Sequence, residues 1–206
     1  MKLDVNPTRM QLLGLRKRTA LAKRGHKLLK DKQDELMRRL LNLLKVVKEL
    51  RKKVEMELEF TIKRFLFARS AMEPEGVDEA LLLPRKEVSI ELEKKRLLNV
   101  EVPVFKEVIS GKIHCYGFAT TSCELDLSLL ALDKVLYELI ELAEKEKALE
   151  LIALEIEKTR RRVNALEYVL IPSLEETVKY IQMKLLEMER SNLSRLMRIK
   201  EIVRAH

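Results

Sequence analysis

The chain has 206 residues, of which 41 are Lys or Arg and 33 are Asp or Glu, so its formal net charge is +8. Five Gly, five Pro and 4% aromatic residues are too few for a sheet protein or for the glycine loops of a doubly wound nucleotide-binding fold. The 47% of hydrophobic residues excludes a disordered or collagen-like chain. The composition therefore indicates an elongated, mostly helical protein.

The first predicted element is a long helix over about residues 8–70. Apolar residues recur there at seven-residue spacing, with a second column offset by three or four residues, which predicts a coiled coil. The residues assigned to the coiled-coil core are Leu15, Ala22, Leu29, Leu36, Leu43 and Leu50. Asn6-Pro7-Thr8 supplies a helix start, and Pro74 with Gly76 supplies the stop.

A β-hairpin is predicted in the centre of the chain, where six of the ten Gly and Pro residues fall. Apolar residues at 98, 100, 102 and 104 alternate with polar or turn residues, which is typical of a strand. Ser110-Gly111 indicates a turn, and residues 112–118 a second strand. Since a lone hairpin is only marginally stable, we expect this hairpin, about 98–118, to pack on a helix or a partner.

A second long helix is predicted from about residue 126 to the C-terminus. Its core residues are Leu149, Ile156, Val163, Leu170, Ile181 and Met188. Pro172 lacks a backbone N–H, so we expect a kink there. The predicted fold is all-α dominated: a long antiparallel two-helix coiled coil with a small central insert containing the β-hairpin. Its parts are an N-terminal helix (1–72), the insert (73–124) and a C-terminal helix (125–206), forming one structural unit.

Positive charge is concentrated near the two termini. Residues 1–30 contain nine basic residues and one acid, and residues 184–206 contain six basic residues and three acids. If the two helices fold back on each other, these segments form one strongly positive end.

Motifs for catalysis, cofactors or metals are not found in the sequence. It has no phosphate-binding glycine loop, no His-Glu-x-x-His, no Cys-x-x-Cys and no Gly-x-Ser-x-Gly. His114, Cys115 and Cys123 match no zinc framework. We therefore expect no catalytic residue, no cofactor and no metal. The two cysteines, the absence of an apolar leader and the absence of a membrane-length apolar run predict a reduced, cytosolic setting.

Particular residues resemble a known family. They are Asn6-Pro7-Thr8-Arg9, the segment from Arg24 to Lys32, and the segment from Glu157 to Thr177, which contains Thr159-Arg160-Arg161-Arg162-Val163-Asn164-Ala165-Leu166-Glu167. Together with Tyr116-Gly117 and Glu124-Leu125-Asp126, they are similar to the D subunit of the A-type/V-type ATPases, the central rotor shaft. The resemblance covers essentially the whole chain.

The resemblance implies a non-catalytic component that couples ATP turnover to ion translocation across a membrane by rotation. It implies three kinds of partner: the catalytic hexamer of A and B subunits, the small F subunit of the stalk, and the lower socket subunit of the membrane rotor. The chain is then a peripheral component on the cytoplasmic side of the membrane, without direct membrane insertion and without nucleic acid.

Two sets of basic residues are candidate contacts within that scheme. The set expected to face the bore of the hexamer is Arg9, Arg16, Lys17, Lys23, Arg24, Arg190, Arg195, Arg198 and Lys200. The set expected to contact the F subunit or the lower rim of the ring is Arg160, Arg161 and Arg162. For both sets the alternative is a solvated, solubilising face.

Two other functions fit the residues without the resemblance. A basic coiled coil is also a candidate nucleic-acid-binding or scaffold protein, although aromatic residues for stacking are scarce and no groove-reading motif is found. A membrane-surface amphipathic scaffold is the third interpretation, but the leucine seams match a partner helix better than a lipid surface.

Overall fold

A computed structural model describes residues 5–83, 85–113, 116–117 and 121–205. Its elements in chain order are helix α1 (Arg9–Ala71), helix α2 (Pro74–Leu81), strands β1 (Glu87–Leu97) and β2 (Val100–Ser110), helix α3 (Cys123–Asn164), a π-helical turn (Ala165–Leu170) and helix α4 (Ile171–Ala205). The predicted fold class, long helices with a small antiparallel hairpin inserted between them, is confirmed.

Helix α1 is 63 residues long and begins next to the predicted cap. The Thr8 hydroxyl accepts a hydrogen bond from the backbone N–H of Gln11 at 3.2 Å, and the Thr8 carbonyl accepts one from Leu12 at 3.0 Å. These two bonds satisfy amide groups that otherwise lack a partner in the first turn. Past the end of α1, Pro74 opens α2, since proline has no N–H to lose in the first turn of a helix.

The chain divides into two compact units. Unit 1 comprises residues 1–35 and 156–206, of which 5–35 and 156–205 are described. One core cluster of this unit is formed by Leu15, Leu174 and Ile181, and half-buried apolar residues of both helices surround them. Polar contacts join the two paired segments in antiparallel order: the ion pairs Arg9–Glu189 and Lys23–Glu175, and a contact between His26 and Glu167.

Unit 2 comprises residues 36–155. Val47 and Val54 of α1 are buried against Val135 and Leu142 of α3, with Leu50, Leu58 and Leu149 packed around them. Lys53 Nζ lies 2.5 Å from Glu138 Oε1, and Arg51 Nη1 lies 3.8 Å from Glu146 Oε1. The two helices are therefore antiparallel in this unit too, with a narrow apolar seam flanked by ion pairs, as in other coiled coils.

The position predicted for the hairpin was wrong. The strands are 87–97 and 100–110, and the turn is Leu98-Asn99, with φ of 47° and 74°. Positive φ at both central residues is the geometry of a two-residue turn whose twist matches the strands, and Asn tolerates it well. Ser110-Gly111, predicted as the turn, instead ends β2. Of the predicted second strand, residues 112, 113, 116 and 117 lie outside any strand, while 114, 115 and 118 lie outside the described residues.

Gly111 is required where β2 ends. Its φ is +91°, and a Cβ built on it would lie 1.9 Å from the carbonyl oxygen of Arg85. A side chain is excluded there both by the backbone conformation and by this contact.

The hairpin contacts α3, as expected for a pair of strands that is not stable alone. Val100 and Val102 of β2 are buried. The backbone N–H of Phe105 donates to Glu144 Oε2 of α3 at 2.9 Å, and Lys86, just before β1, forms an ion pair with Asp133 of α3. The Glu144 carboxylate thus accepts a hydrogen bond from the Phe105 N–H, which faces away from β1 and would otherwise lack a partner.

A π-helical turn lies just before Pro172, the residue at which a kink was predicted. The turn spans Ala165–Leu170, and the N–H of Ile171 bonds to the carbonyl of Leu166, five residues back. A π-helical turn accommodates one residue more than an α-helical turn without breaking the helix. Pro172, at the second position of α4, has no N–H to contribute to the ladder.

Candidate functional site

The last part of α4 extends past the residues that pair with α1. Arg9, the first residue of α1, contacts Glu189 at 2.6 Å. From residue 186 to residue 204 every side chain of α4 is exposed, and we call residues 186–205 the C-terminal segment. Its large exposed apolar residues are Leu186, Met188, Leu193, Leu196, Met197, Ile199, Ile202 and Val203.

Apolar residues cover more than one face of the C-terminal segment. At 100° per residue, Leu193 and Met197 fall on one side of the helix, whereas Leu196, Ile199 and Val203 continue the side that packs on α1 in the preceding turns. Helices of this kind are normally enclosed by other protein. The basic residues between them, Arg190, Arg195, Arg198 and Lys200, are suited to acidic or carbonyl-rich surroundings.

The five basic residues of α1 predicted to contact a partner differ in their surroundings. Arg9 pairs with Glu189, and Lys23 pairs with Glu175 at 2.6 Å, so both have carboxylate partners inside this chain. The hydrogen bond from Lys23 lowers the pKa of the Glu175 carboxyl below its ordinary value. The remaining three, Arg16, Lys17 and Arg24, are exposed. The sequence alone did not reveal the two intrachain pairs, because each joins residues at opposite ends of the chain.

A second apolar stripe lies on α1, and it was not among the features predicted from the sequence. Met10, Leu13, Leu21 and Leu28 are exposed, by 86%, 58%, 71% and 69%. Their spacing of three, eight and seven residues places them on one face, opposite the core residue Leu15. This spacing is visible in the sequence, and it makes α1 apolar on two faces in unit 1.

Most of the predicted core residues face the interior. Leu15, Leu36, Ile156, Val163 and Ile181 are buried, and Ala22, Leu29, Leu43, Leu50 and Leu149 are half-buried. Leu170 and Met188, each 43% exposed, do not belong to the core. Leu170 is the last residue of the π-helical turn, and the geometry of that turn directs Leu170 away from the seam. Met188 lies in the C-terminal segment, where few residues of α1 remain to cover its side chain.

The Arg160-Arg161-Arg162 cluster is exposed on α3. Arg161 forms an ion pair with Glu157, one helical turn before it. The flanking residues Thr159 and Val163 are buried, so the three arginines project from the outward face of the helix.

The described part of the chain contains neither a metal-ligand cluster nor a membrane-length apolar helix. Among the described residues, no group of three or more His, Cys, Asp and Glu side chains is arranged to hold a metal ion. Of the residues considered as metal ligands, Cys123 is exposed, and His114 and Cys115 lie outside the described residues. Within the described ranges, no helix is both long enough and apolar enough to cross a membrane.

These features define a class of protein: paired antiparallel helices with a docked hairpin and an extended apolar and basic helix end, suited to binding other proteins. A family model for the ATP synthase D subunit matches residues 11–201. The chain therefore belongs to the D-subunit family of ATP synthases.

Curated relatives match over nearly the whole chain. The V-type ATP synthase D subunit of Clostridium botulinum (strain ATCC 19397 / Type A) is 55% identical over 208 residues, covering 98% of this chain and 96% of the relative. The protein of the same name from Acetivibrio thermocellus is 54% identical, covering 98% and 92%, and that from Clostridium novyi (strain NT) is 52% identical, covering 98% and 96%.

Proposed function

We propose that this chain is the central-stalk rotor component of a V-type ATP synthase, a non-catalytic shaft that couples ATP turnover in a hexamer of A and B subunits to ion translocation by rotation. Membership of the family supports the assignment to that complex. The rotor role is supported by two features of the chain: the long paired helices of each unit, which suit a shaft, and a helix end that suits an enclosing partner.

The exposed C-terminal segment is the observation that carries the proposal. A helix end with Leu193, Met197, Ile199 and Val203 in contact with water is unfavourable, since each buried apolar side chain of this size contributes about 1.5–3 kcal/mol. Burial on several faces at once requires a partner that surrounds the helix. The bore of a ring-shaped hexamer provides such an environment, and acidic or carbonyl groups there would pair with Arg195 and Arg198.

An asymmetric shaft in a three-fold ring would act by differential contact. The three catalytic sites would meet different faces of unit 1: the apolar stripe of α1, its basic residues, or α4. Each face favours a different conformation of the neighbouring protein, so turning the shaft passes that preference from site to site. Because such coupling is reciprocal in free energy, ATP turnover would turn the shaft, and a forced turn would change nucleotide affinity.

Unit 2 and the arginine cluster are the proposed contacts for the other stalk components. Arg160, Arg161 and Arg162 would bind the F subunit or the lower rim of the ring, and the lower socket of the membrane rotor would bind residues of unit 2. Within such a complex the chain would lie at the cytoplasmic side of the membrane as a peripheral component. ATP chemistry would belong entirely to the hexamer.

A charge-matched pair of variants tests the bore contact. In the first, Arg190, Arg195, Arg198 and Lys200 are changed to Gln, and in the control, the exposed residues Arg38, Lys45, Lys48 and Lys52 of unit 2 are changed to Gln. Both lose four positive charges, so nonspecific charge effects are equal.

Assembly with purified A/B hexamer is then measured by native mass spectrometry and by titration of ATP hydrolysis. The first variant is expected to bind at least about 10-fold more weakly, with a smaller salt dependence, whereas the control binds as the unchanged chain does. Equal binding by both variants would refute the assignment of these residues to the bore.

A further inference from the structure

The apolar seam of unit 1 changes register by one residue across the π-helical turn. Before the turn, Ile156, Thr159 and Val163 are buried at spacings of three and four. Continuing that heptad pattern past Val163 gives core positions at 166, 170, 173, 177, 180 and 184.

The buried apolar residues after the turn lie one residue later than those positions. Leu174 and Ile181 are buried, with Val178 and Leu185 packed against them, so each lies one residue later than the heptad count requires. Two residues at positions of the continued heptad count are also covered: Thr177 is buried and donates its hydroxyl hydrogen to the carbonyl of Ser173 at 2.7 Å, and Tyr180 is half-buried against the cluster. The stretch between Val163 and Leu174 therefore contains one residue more than the heptad needs.

The π-helical turn accommodates that residue. The bond from Ile171 N–H to Leu166 O spans five residues, which adds one residue to the turn. Tyr168, Val169 and Leu170 are 73%, 64% and 43% exposed, so the additional length lies on the outside of the helix. In a seven-residue repeat continued without this turn, Leu174 and Ile181 would each lie one position outside the two core columns.

Few side chains are buried at this turn or in the part of α1 that lies opposite it. None of the described residues 164–173 is buried, and the same holds for residues 16–35 of α1. The contact across the pair of helices is polar: His26 Nε2 lies 3.3 Å from Glu167 Oε2. Next to it, Gly25 has no atom within 4 Å of the position of a Cβ, so nothing packs closely there.

We propose that the π-helical turn Ala165–Leu170 is a register adapter, meaning that it accommodates the one residue by which the heptad spacing is exceeded. We also propose that it is the soft segment of unit 1, the part with the lowest local stability, where the paired helices open before the rest of the unit. Few buried contacts and a non-α hydrogen-bond pattern are the features of a segment with low local stability. If the chain is the rotor shaft proposed above, this segment is where the shaft twists most easily. The adapter itself does not depend on that function.

Removing a single residue tests the adapter. Deletion of Val169 is expected to give a continuous α-helix in which Val163, Leu166, Ile171, Leu174 and Val178 follow one heptad seam, with Ile181 and Leu185 continuing it. The matched control is deletion of the exposed Lys179, which also removes one residue of the same helical stretch but displaces Ile181 and Leu185 from the seam.

Thermal unfolding and amide hydrogen exchange of the full chain are measured for both deletions. Deletion of Val169 is expected to raise Tm by about 3 °C, and deletion of Lys179 to lower it by more than that. In the unchanged chain, amides 165–171 are expected to exchange at least about 10-fold faster than those of 174–181, and this difference disappears when Val169 is deleted.

Two outcomes of the deletion and exchange experiments would overturn the proposal. One is an equal loss of Tm in both deletions, which would mean that no additional residue is accommodated at the turn. The other is equal exchange rates along 165–181 in the unchanged chain, which would mean that the turn is not soft.

The variant Pro172→Ala separates the adapter from a simple effect of proline. It supplies the missing N–H but keeps the residue count, so the fast exchange at 165–171 is expected to persist. Loss of the fast exchange in Pro172→Ala would assign the irregularity to proline and contradict the adapter. These measurements use the isolated chain, so their outcome is distinguishable from failure of the rotor assignment, which the assembly experiment tests.

Discussion

Replacement of Ile181 by Ala tests the packing of unit 1 most simply. Ile181 is fully buried against Leu15 and Leu174, whose side chains come from opposite helices of the pair. The change removes three carbon atoms, and at about 0.8 kcal/mol for each the lost burial is about 2.4 kcal/mol. The cavity that remains raises the expected loss of unfolding free energy to about 3–4 kcal/mol.

Thermal unfolding of the full chain, followed by circular dichroism, measures the effect. For a chain of this length each kcal/mol lowers Tm by about 2–4 °C, so Ile181→Ala is expected to lower it by about 10 °C. The matched control is Leu186→Ala, on the same helix but 56% exposed, with an expected effect below about 0.5 kcal/mol. Equal Tm values for the two variants would refute the assignment of Ile181 to the core.

Three further predictions concern the hairpin and the surface ion pairs. Gly111→Ala places a Cβ 1.9 Å from the Arg85 carbonyl oxygen at a φ of +91°, so it should lower the free energy of unfolding by about 1–3 kcal/mol and speed amide exchange in the hairpin. The control is Gly25→Ala, which has open space around the new Cβ and should stabilise α1 by up to about 1 kcal/mol. Glu144→Ala leaves the Phe105 N–H without its acceptor and should speed exchange of that amide, while Glu144→Gln, which keeps an acceptor, should have less effect. Because the pKa of Glu175 is lowered in the folded chain, its carboxylate stabilises the fold at neutral pH, and this stabilisation is lost as the pH falls below 4.5, the ordinary pKa of a Glu side chain. In Lys23→Gln the loss of stability on acidification should be smaller. An unchanged loss would contradict the Lys23–Glu175 pair.

The long helices could be predicted from sequence because their information is local and repeated. Heptads of Leu and Val placed the core of α1 and α3, and Thr8 marked the first cap. Leu170 was wrongly assigned to the core because it fits the seven-residue column from Val163, whereas Ile181, which was correctly assigned, packs with Leu174 in the core after the π-helical turn.

The hairpin was misplaced because two turn signals competed. Ser110-Gly111 is the stronger turn dipeptide in isolation, but the glycine is needed there to pass the Arg85 carbonyl at the end of β2. The true turn is Leu98-Asn99, and the charged residues of β1 hid the alternation of Val88, Ile90 and Leu92. Strand pairing depends on the partner strand and on the helix beneath, so the sequence of one strand did not determine it.

Likewise, sequence alone could name the basic residues of the candidate site but not their surroundings. Arg9 and Lys23 have carboxylate partners on α4, a consequence of antiparallel pairing that charge counting does not reveal. The C-terminal segment was predicted to continue the coiled-coil seam. Because α1 begins only at Arg9, which pairs with Glu189, this part of α4 is left exposed.

Direct observation of rotation tests the central claim. The A/B hexamer would be fixed to a surface with the full chain assembled in it. A bead would be attached through a cysteine introduced at Leu98, in the exposed hairpin turn, after Cys115 and Cys123 are changed to Ser. On addition of ATP, the rotor assignment predicts unidirectional rotation of the bead with three dwell positions per turn. A bead that stays fixed while the same complexes hydrolyse ATP would contradict it.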